Sequence, residues 1–225
     1  MIKVPLLYHG TDARIVEMSS TERQQYLKKC RQVVDYLFPF YNELASTFET
    51  VEKLYCGQKI YTQESLLKIK YGDKLKSIPG LYYNLNEKIT MMQAQMNGNK
   101  QYQYGSFYLT SDRRIAFNYA VDSFAGGELG LVAYRFIQGL DIVVFDNFNP
   151  STELLQSIKT IQDFASDEQQ DNPVIFTFKD IDIADLLDEE GNRLASDFNF
   201  KFGRSFRYLK DVHLSLENAE FLKRQ

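Results

Sequence analysis

The sequence predicts an α+β fold: a mixed β core with a helical insertion near its front. Three observations carry this. Before position 100, apolar residues recur at three- and four-residue steps, as on one face of a helix. After it, short β-rich runs alternate with helical ones. Between the runs stand turn signals such as Pro79-Gly80, Asn97-Gly98-Asn99 and Gly126-Gly127.

In chain order, residues 2–8 read as a buried strand that ends at a polar turn, His9-Gly10-Thr11-Asp12. Thr21 and Gln24 fit a capping box. Tyr26, Cys30, Val33, Val34, Leu37 and Phe38 then form an amphipathic stripe. Pro39 is expected to break or kink that helix, with a second helix from Tyr41 to Leu54 ending near Gly57. Helical pieces follow at 62–69 and 84–96. Phe107-Tyr108-Leu109-Thr110 reads as a strand, and Ser111 or Asp112 can cap a helix reaching Ser123 and closed by Gly126-Gly127. Leu129–Ile137 is β-rich and Asp141–Phe145 is a further strand. A helix is expected at 151–165, a strand at Val174–Phe178 and a short helix at 180–188. Strand signals at Phe198–Phe202, Phe206–Leu209 and Ala219–Lys223 complete the chain. No internal repeat or linker stands out.

Composition narrows the chemistry. The 225 residues include two histidines, two cysteines and no tryptophan, against 17 Phe and 15 Tyr. Neither a four-cysteine zinc site nor the usual site with two ligands of each type fits those counts and spacings, so no metal is expected. Two unpaired thiols suit a reducing cytoplasm. A net charge of −4 argues against non-specific nucleic-acid binding, which needs a basic footprint. No apolar run approaches the roughly 18–20 residues that span a membrane. The N-terminal apolar patch is too short for a secretion signal, so no leader is expected.

Several motifs are set aside. Gly126-Gly127-Glu128-Leu129-Gly130 follows a helix and precedes a β-rich run, the reverse of a phosphate-cradling loop. No P-loop or nucleophile-elbow pattern occurs. Cys30 reads as core, Cys56 borders a turn and His213 reads as structural. Asp185, Asp188, Glu189 and Glu190 read as a solvated helix end.

Three segments together suggest chemistry. The first is Leu7-Tyr8-His9-Gly10-Thr11. The second is Tyr104-Gly105-Ser106-Phe107-Tyr108-Leu109-Thr110, followed by a helix bearing Ala116 and Tyr119-Ala120. The third is Leu216-Glu217-Asn218-Ala219-Glu220-Phe221-Leu222. In order, and in the eleven-position spacing of Tyr108 and Tyr119, this triple resembles the His-Tyr-Glu branch of the ADP-ribosyltransferase superfamily, which contains diphtheria-like toxins and poly-ADP-ribose polymerases.

The resemblance implies a split mixed β-sheet and NAD as substrate. It implies a single domain, with a catalytic core of residues 1–17 and 101–225 and a helical insertion of about 18–100. His9 would donate to a hydroxyl of the adenosine ribose. Gly10, lacking a side chain, would let the nicotinamide carboxamide reach the main chain. Thr11 would add a hydroxyl contact. Tyr108 and Tyr119 would wall the nicotinamide ring, each face contributing roughly 0.5–1.5 kcal/mol. Glu220 would bind the nicotinamide ribose and stabilise the positive charge that develops as the glycosidic bond breaks. Glu217 is the rival acid; Glu220 is preferred because it directly precedes Phe221-Leu222. The implied acceptor is an unknown protein or nucleic acid, the implied setting cytoplasmic and toxin-like. Two alternatives stand beside this: a catalytically inactive relative used as a binding module, with the tyrosine-rich insertion as its partner surface, and an RNA 2′-phosphotransferase of the same fold, against which the acidic composition argues.

Overall fold

The computed structural model describes residue 4 and residues 6–96, 106–166, 172–200 and 204–222. The fold is α+β. Its elements are β1 (Leu7–Asp12), α1 (Ala13–Glu17), α2 (Ser20–Ser46), β2 (Phe48–Tyr55), β3 (Gln58–Ser65), α3 (Leu66–Ser77), α4 (Leu81–Met96), β4 (Phe107–Thr110), α5 (Arg113–Asp122), α6 (Gly127–Leu140), α7 (Thr152–Ser166), β5 (Pro173–Phe178), β6 (Leu186–Leu187), β7 (Ser205–Tyr208) and β8 (Ala219–Phe221). Six strands form one antiparallel sheet in the order β6-β7-β4-β1-β5-β8. Among the described residues no helix is long and apolar enough to cross a membrane.

The helical body surrounds the largest core. The stripe of α2 (Tyr26, Cys30, Val33, Leu37) meets Leu67 and Leu75 of α3, Leu85 and Ile89 of α4, Phe136 of α6 and Ile158 of α7. The expected 18–100 insertion is therefore no separate appendage, because α6 and α7 from the second half of the chain share its core. α6 replaces the expected strand at Leu129–Ile137. A continuous apolar run fits a buried strand or a buried helix equally, and here both its length and its burial among other helices select the helix. Asp141–Phe145, also expected as a strand, is a turn and irregular chain.

The front of the chain differs from expectation in three further ways. Ser19, not Thr21, caps α2, in a reciprocal capping box with Glu22. Pro39 does not end α2, which runs through it, flanked by buried Phe38 and Tyr41. The Tyr41 hydroxyl donates to the Phe136 carbonyl at 2.7 Å, so packing on both sides of Pro39 holds the helix. The second helix expected to reach Leu54 gives way to a hairpin, β2–β3, turning on Cys56 and Gly57, both at positive φ. That is the geometry of a two-residue hairpin turn.

The sheet alternates as strands must. Phe107, Leu109, Phe206 and Tyr208 share one apolar cluster with Leu7. Val174, Phe176 and Phe178 pack with Ala13 and Ala219 on that same face. The opposite face carries Tyr8 and Ile175, covered by Ala116 and Ala120 of α5.

Two strand-to-helix junctions echo each other, although the sequence showed no evident repeat. At Thr11-Asp12-Ala13-Arg14, Asp12 caps α1 and Arg14 forks back onto it, with Nε at 3.0 Å and Nη2 at 2.8 Å. At Ser111-Asp112-Arg113-Arg114, Asp112 caps α5 and Arg114 repeats the fork at 3.2 and 2.9 Å.

Candidate functional site

The six-stranded sheet is joined at its middle by very little. β1 pairs with β5 along its whole length, from Leu7↔Phe178 to Asp12↔Pro173. β4 pairs with β7 along its whole length, from Phe107↔Tyr208 to Thr110↔Ser205. Between β1 and β4 the register among the described residues is the one pair Tyr8↔Thr110. The sheet thus consists of two three-stranded halves whose hydrogen-bond ladder is interrupted beyond that pair, a notch in the ladder between β1 and β4.

His9 reaches across the notch. It lies within β1, not in a turn as expected, and its Nδ1 is 2.8 Å from the Tyr108 carbonyl oxygen. A carbonyl only accepts, so Nδ1 carries the proton and donates. Burial lowers the His9 pKa to about 4 against the opposing effect of that hydrogen bond. The ring is neutral at pH 7, and Nε2 is an acceptor. This reverses the expected role: His9 offers a ribose hydroxyl a lone pair, not a proton. Its ring lies against Phe107, centroids 4.1 Å apart.

Tyr108 and Tyr119 share the other face. Strand alternation puts Tyr108 and Thr110 on the side away from the Phe107–Leu109 cluster, together with their partners Arg207 and Ser205. Tyr119 projects from α5 over this region, where the nearby Ser205 side chain favours its ionised form. Burial raises its pKa, although the side chain is 41% exposed. His9, by the same alternation, sits on the Phe176 side of β1. The two tyrosines thus lie on one face of the sheet and the His9 ring on the other, its Nδ1 bonded to the Tyr108 main chain between them.

Gly10 and Thr11 are placed differently from expectation. A Cβ on Gly10 would stand 1.8 Å from the Ala116 carbonyl oxygen and 2.8 Å from the Ala120 nitrogen. The missing side chain therefore admits the backbone of α5, which fills the space expected for the carboxamide. Thr11 is buried, opposite Val174 in the β1–β5 ladder, so its hydroxyl is not displayed for a ligand.

Glu220 stands apart. It lies on edge strand β8, opposite Ile175, with β5 and β1 between it and β4. At about 4.8 Å per strand, three steps put it roughly 14 Å from the Tyr108 strand. Its carboxylate is paired with Arg113 at the start of α5 and is half exposed. Glu217 lies in the 3₁₀ turn Leu216–Asn218, outside the sheet.

Three residues on the β7 side of β4, across that strand from the notch, escaped the sequence reading. Arg207 is the cross-strand partner of Tyr108. Ser205 is the partner of Thr110 and lies near Tyr119. Glu189, expected in a solvated helix end, follows the short strand β6 and accepts from the Ser205 backbone N–H at 3.4 Å. Only the long-range β6–β7–β4 register brings them there; no local sequence signal marks them. Among the described residues no group of three His, Cys, Asp or Glu could hold a metal ion. The side chains on and around the β4–β7 face comprise two aromatic rings, a guanidinium and a carboxylate, with the neutral imidazole acceptor of His9 on the opposite face. That set can receive a planar ring linked to hydroxyl and phosphate groups.

No family model matches this chain, no curated protein matches it, and no solved structure matches it.

Proposed function

We propose that this protein binds NAD at the notch between β1 and β4 and transfers its ADP-ribose to a protein or nucleic-acid acceptor. The observation that carries the reading is the His9–Tyr108 hydrogen bond where the two half-sheets part, with Tyr119 over the face that displays Tyr108. This joins the first two of the three sequence segments at one place in the fold. In the reaction the bond between nicotinamide nitrogen and ribose breaks, and nicotinamide leaves with the electron pair. The positive charge left on the ribose is met by an acceptor nucleophile, which forms the new bond and gives up its proton. Tyr108 and Tyr119 would hold the leaving ring, His9 Nε2 would accept from an adenosine-ribose hydroxyl, and Arg207 would face the diphosphate. Both described cysteines are free thiols, which suits a cytoplasmic setting.

The test is release of free nicotinamide from NAD by the purified chain, with and without candidate acceptors. Release above the buffer control supports the reading. A specific observation favours a second one, an inactive binding module: Glu220, the acid the resemblance implies, is tied to Arg113 at the sheet edge. NAD that binds without being cleaved would select that module.

A further inference from the structure

Resting on the NAD reading above, we propose that the carboxylate serving this site is Glu189, at the head of the β6–β7 connection, and not Glu220. β6 and β7 pair antiparallel through Leu186↔Tyr208 and Leu187↔Arg207. The ladder ends there; Glu189 lies in the turn that follows β6, and its carboxylate accepts the Ser205 N–H at 3.4 Å. Ser205 in turn faces Thr110 of β4. The Glu189 carboxylate therefore stands beside the β7 residue that adjoins the Tyr108–Arg207 pair. Tyr119 reaches the same corner from α5, close enough to Ser205 and Glu189 for both to influence its hydroxyl.

Two other acids, one near Tyr119 and one on β8, are already engaged. Glu128 holds the Lys88 ammonium at 2.9 Å. Glu220 is held by Arg113. Glu189 makes no ion pair with any described residue; its recorded partner is the weak Ser205 amide contact, which aims the carboxylate and leaves its second oxygen for a ligand. The turn that carries it is fixed by its own bonds: the Gly191 N–H donates to the Asp188 carbonyl, and the Asp188 N–H to the Asn192 carbonyl. A carboxylate held on a turn beside the leaving-group ring is placed to accept from a ribose hydroxyl and to stabilise charge as it develops on the sugar.

The experiment compares nicotinamide release from NAD by the wild-type chain and by Glu189→Gln, Glu189→Asp, Glu190→Gln and Glu220→Gln, each with its melting temperature and its NAD affinity. The expected result is a loss of kcat of about 100-fold or more in Glu189→Gln with NAD affinity and melting temperature close to wild type. Partial recovery in Glu189→Asp and a rate within twofold of wild type in Glu190→Gln are expected alongside it. A Glu189→Gln variant that keeps its rate while Glu220→Gln loses it would overturn the assignment and leave the NAD reading standing. A wild-type chain that binds NAD without cleaving it would overturn the assignment and leave the binding module. A wild-type chain that neither binds nor cleaves NAD would remove both the reading and the assignment that rests on it.

Discussion

The junction from β1 into α1 and the junction from β4 into α5 use the same local code with opposite energetic weight. Each has an aspartate capping the helix and an arginine two residues on that forks back to it. At the first, Asp12 is fully buried and the Arg14 side chain is 11% exposed. Arg14 also donates to the carbonyls of Phe164, in α7, and Phe124, beyond α5, and stacks on the Phe164 ring. It thereby ties the sheet to the helical body. At the second, the Arg114 side chain is 85% exposed and its recorded partner is Asp112. One sequence pattern thus yields a buried clamp at one junction and an open cap beside the candidate site at the other; burial, not the motif, sets what each arginine contributes.

Substitutions can break or sharpen this contrast. Arg14→Met keeps much of the volume and strands a buried carboxylate, and should cost about 3–5 kcal/mol; urea unfolding measures it, and a loss below about 1 kcal/mol would erase the distinction between the junctions. Gly10→Ala, where α5 rests on β1, should cost up to about 3 kcal/mol because the added methyl meets backbone that cannot swing aside. A melting temperature equal to wild type would contradict that contact.

The third effect depends on pH. The His9 pKa falls to about 4 in the folded chain from an ordinary value of 6.5. Between these values the unfolded chain binds more protons, so stability rises with pH over this window and is lost as pH falls through it. The linked change is on the order of 3 kcal/mol. His9→Gln should flatten the stability curve between pH 6.5 and 4 relative to wild type, and parallel curves would show that His9 is not desolvated. The smallest effect is expected for Arg114→Ala: the same melting temperature as wild type in calorimetry, in direct contrast to Arg14→Met.

Where the sequence carried strong local signals, the fold follows them. The α2 stripe, α7, β4, β5, β7 and β8 lie close to where periodicity and turn residues put them, and Asp112 caps α5 as its position suggested. What escaped depends on the surroundings. The apolar run of α6 is helical because other helices enclose it. The β2–β3 hairpin carries glutamates and lysines among its β-branched and aromatic residues, which blurred the alternation and left only the Cys56-Gly57 turn to mark it. His9 continues a strand because β5 pairs with it to Asp12, a contact between residues far apart in the chain. The site divides in the same way. The His9, Tyr108 and Tyr119 order was legible, and the structure bonds His9 to the Tyr108 main chain while setting the His9 ring and the two tyrosine side chains on opposite faces of the sheet. Glu189 was not legible as a candidate, since only the fold brings its carboxylate to the Ser205 N–H and ties Glu220 to Arg113 on the edge strand.

The central claim is that the notch between β1 and β4 takes NAD with its planar ring against Tyr119. Calorimetric titration of NAD into the wild-type chain and into Tyr119→Ala tests it most directly. Saturable binding by the wild type, weakened about tenfold (roughly 1.4 kcal/mol) in Tyr119→Ala, is the expected result. No binding by the wild type, or equal affinity in the two proteins, would contradict it.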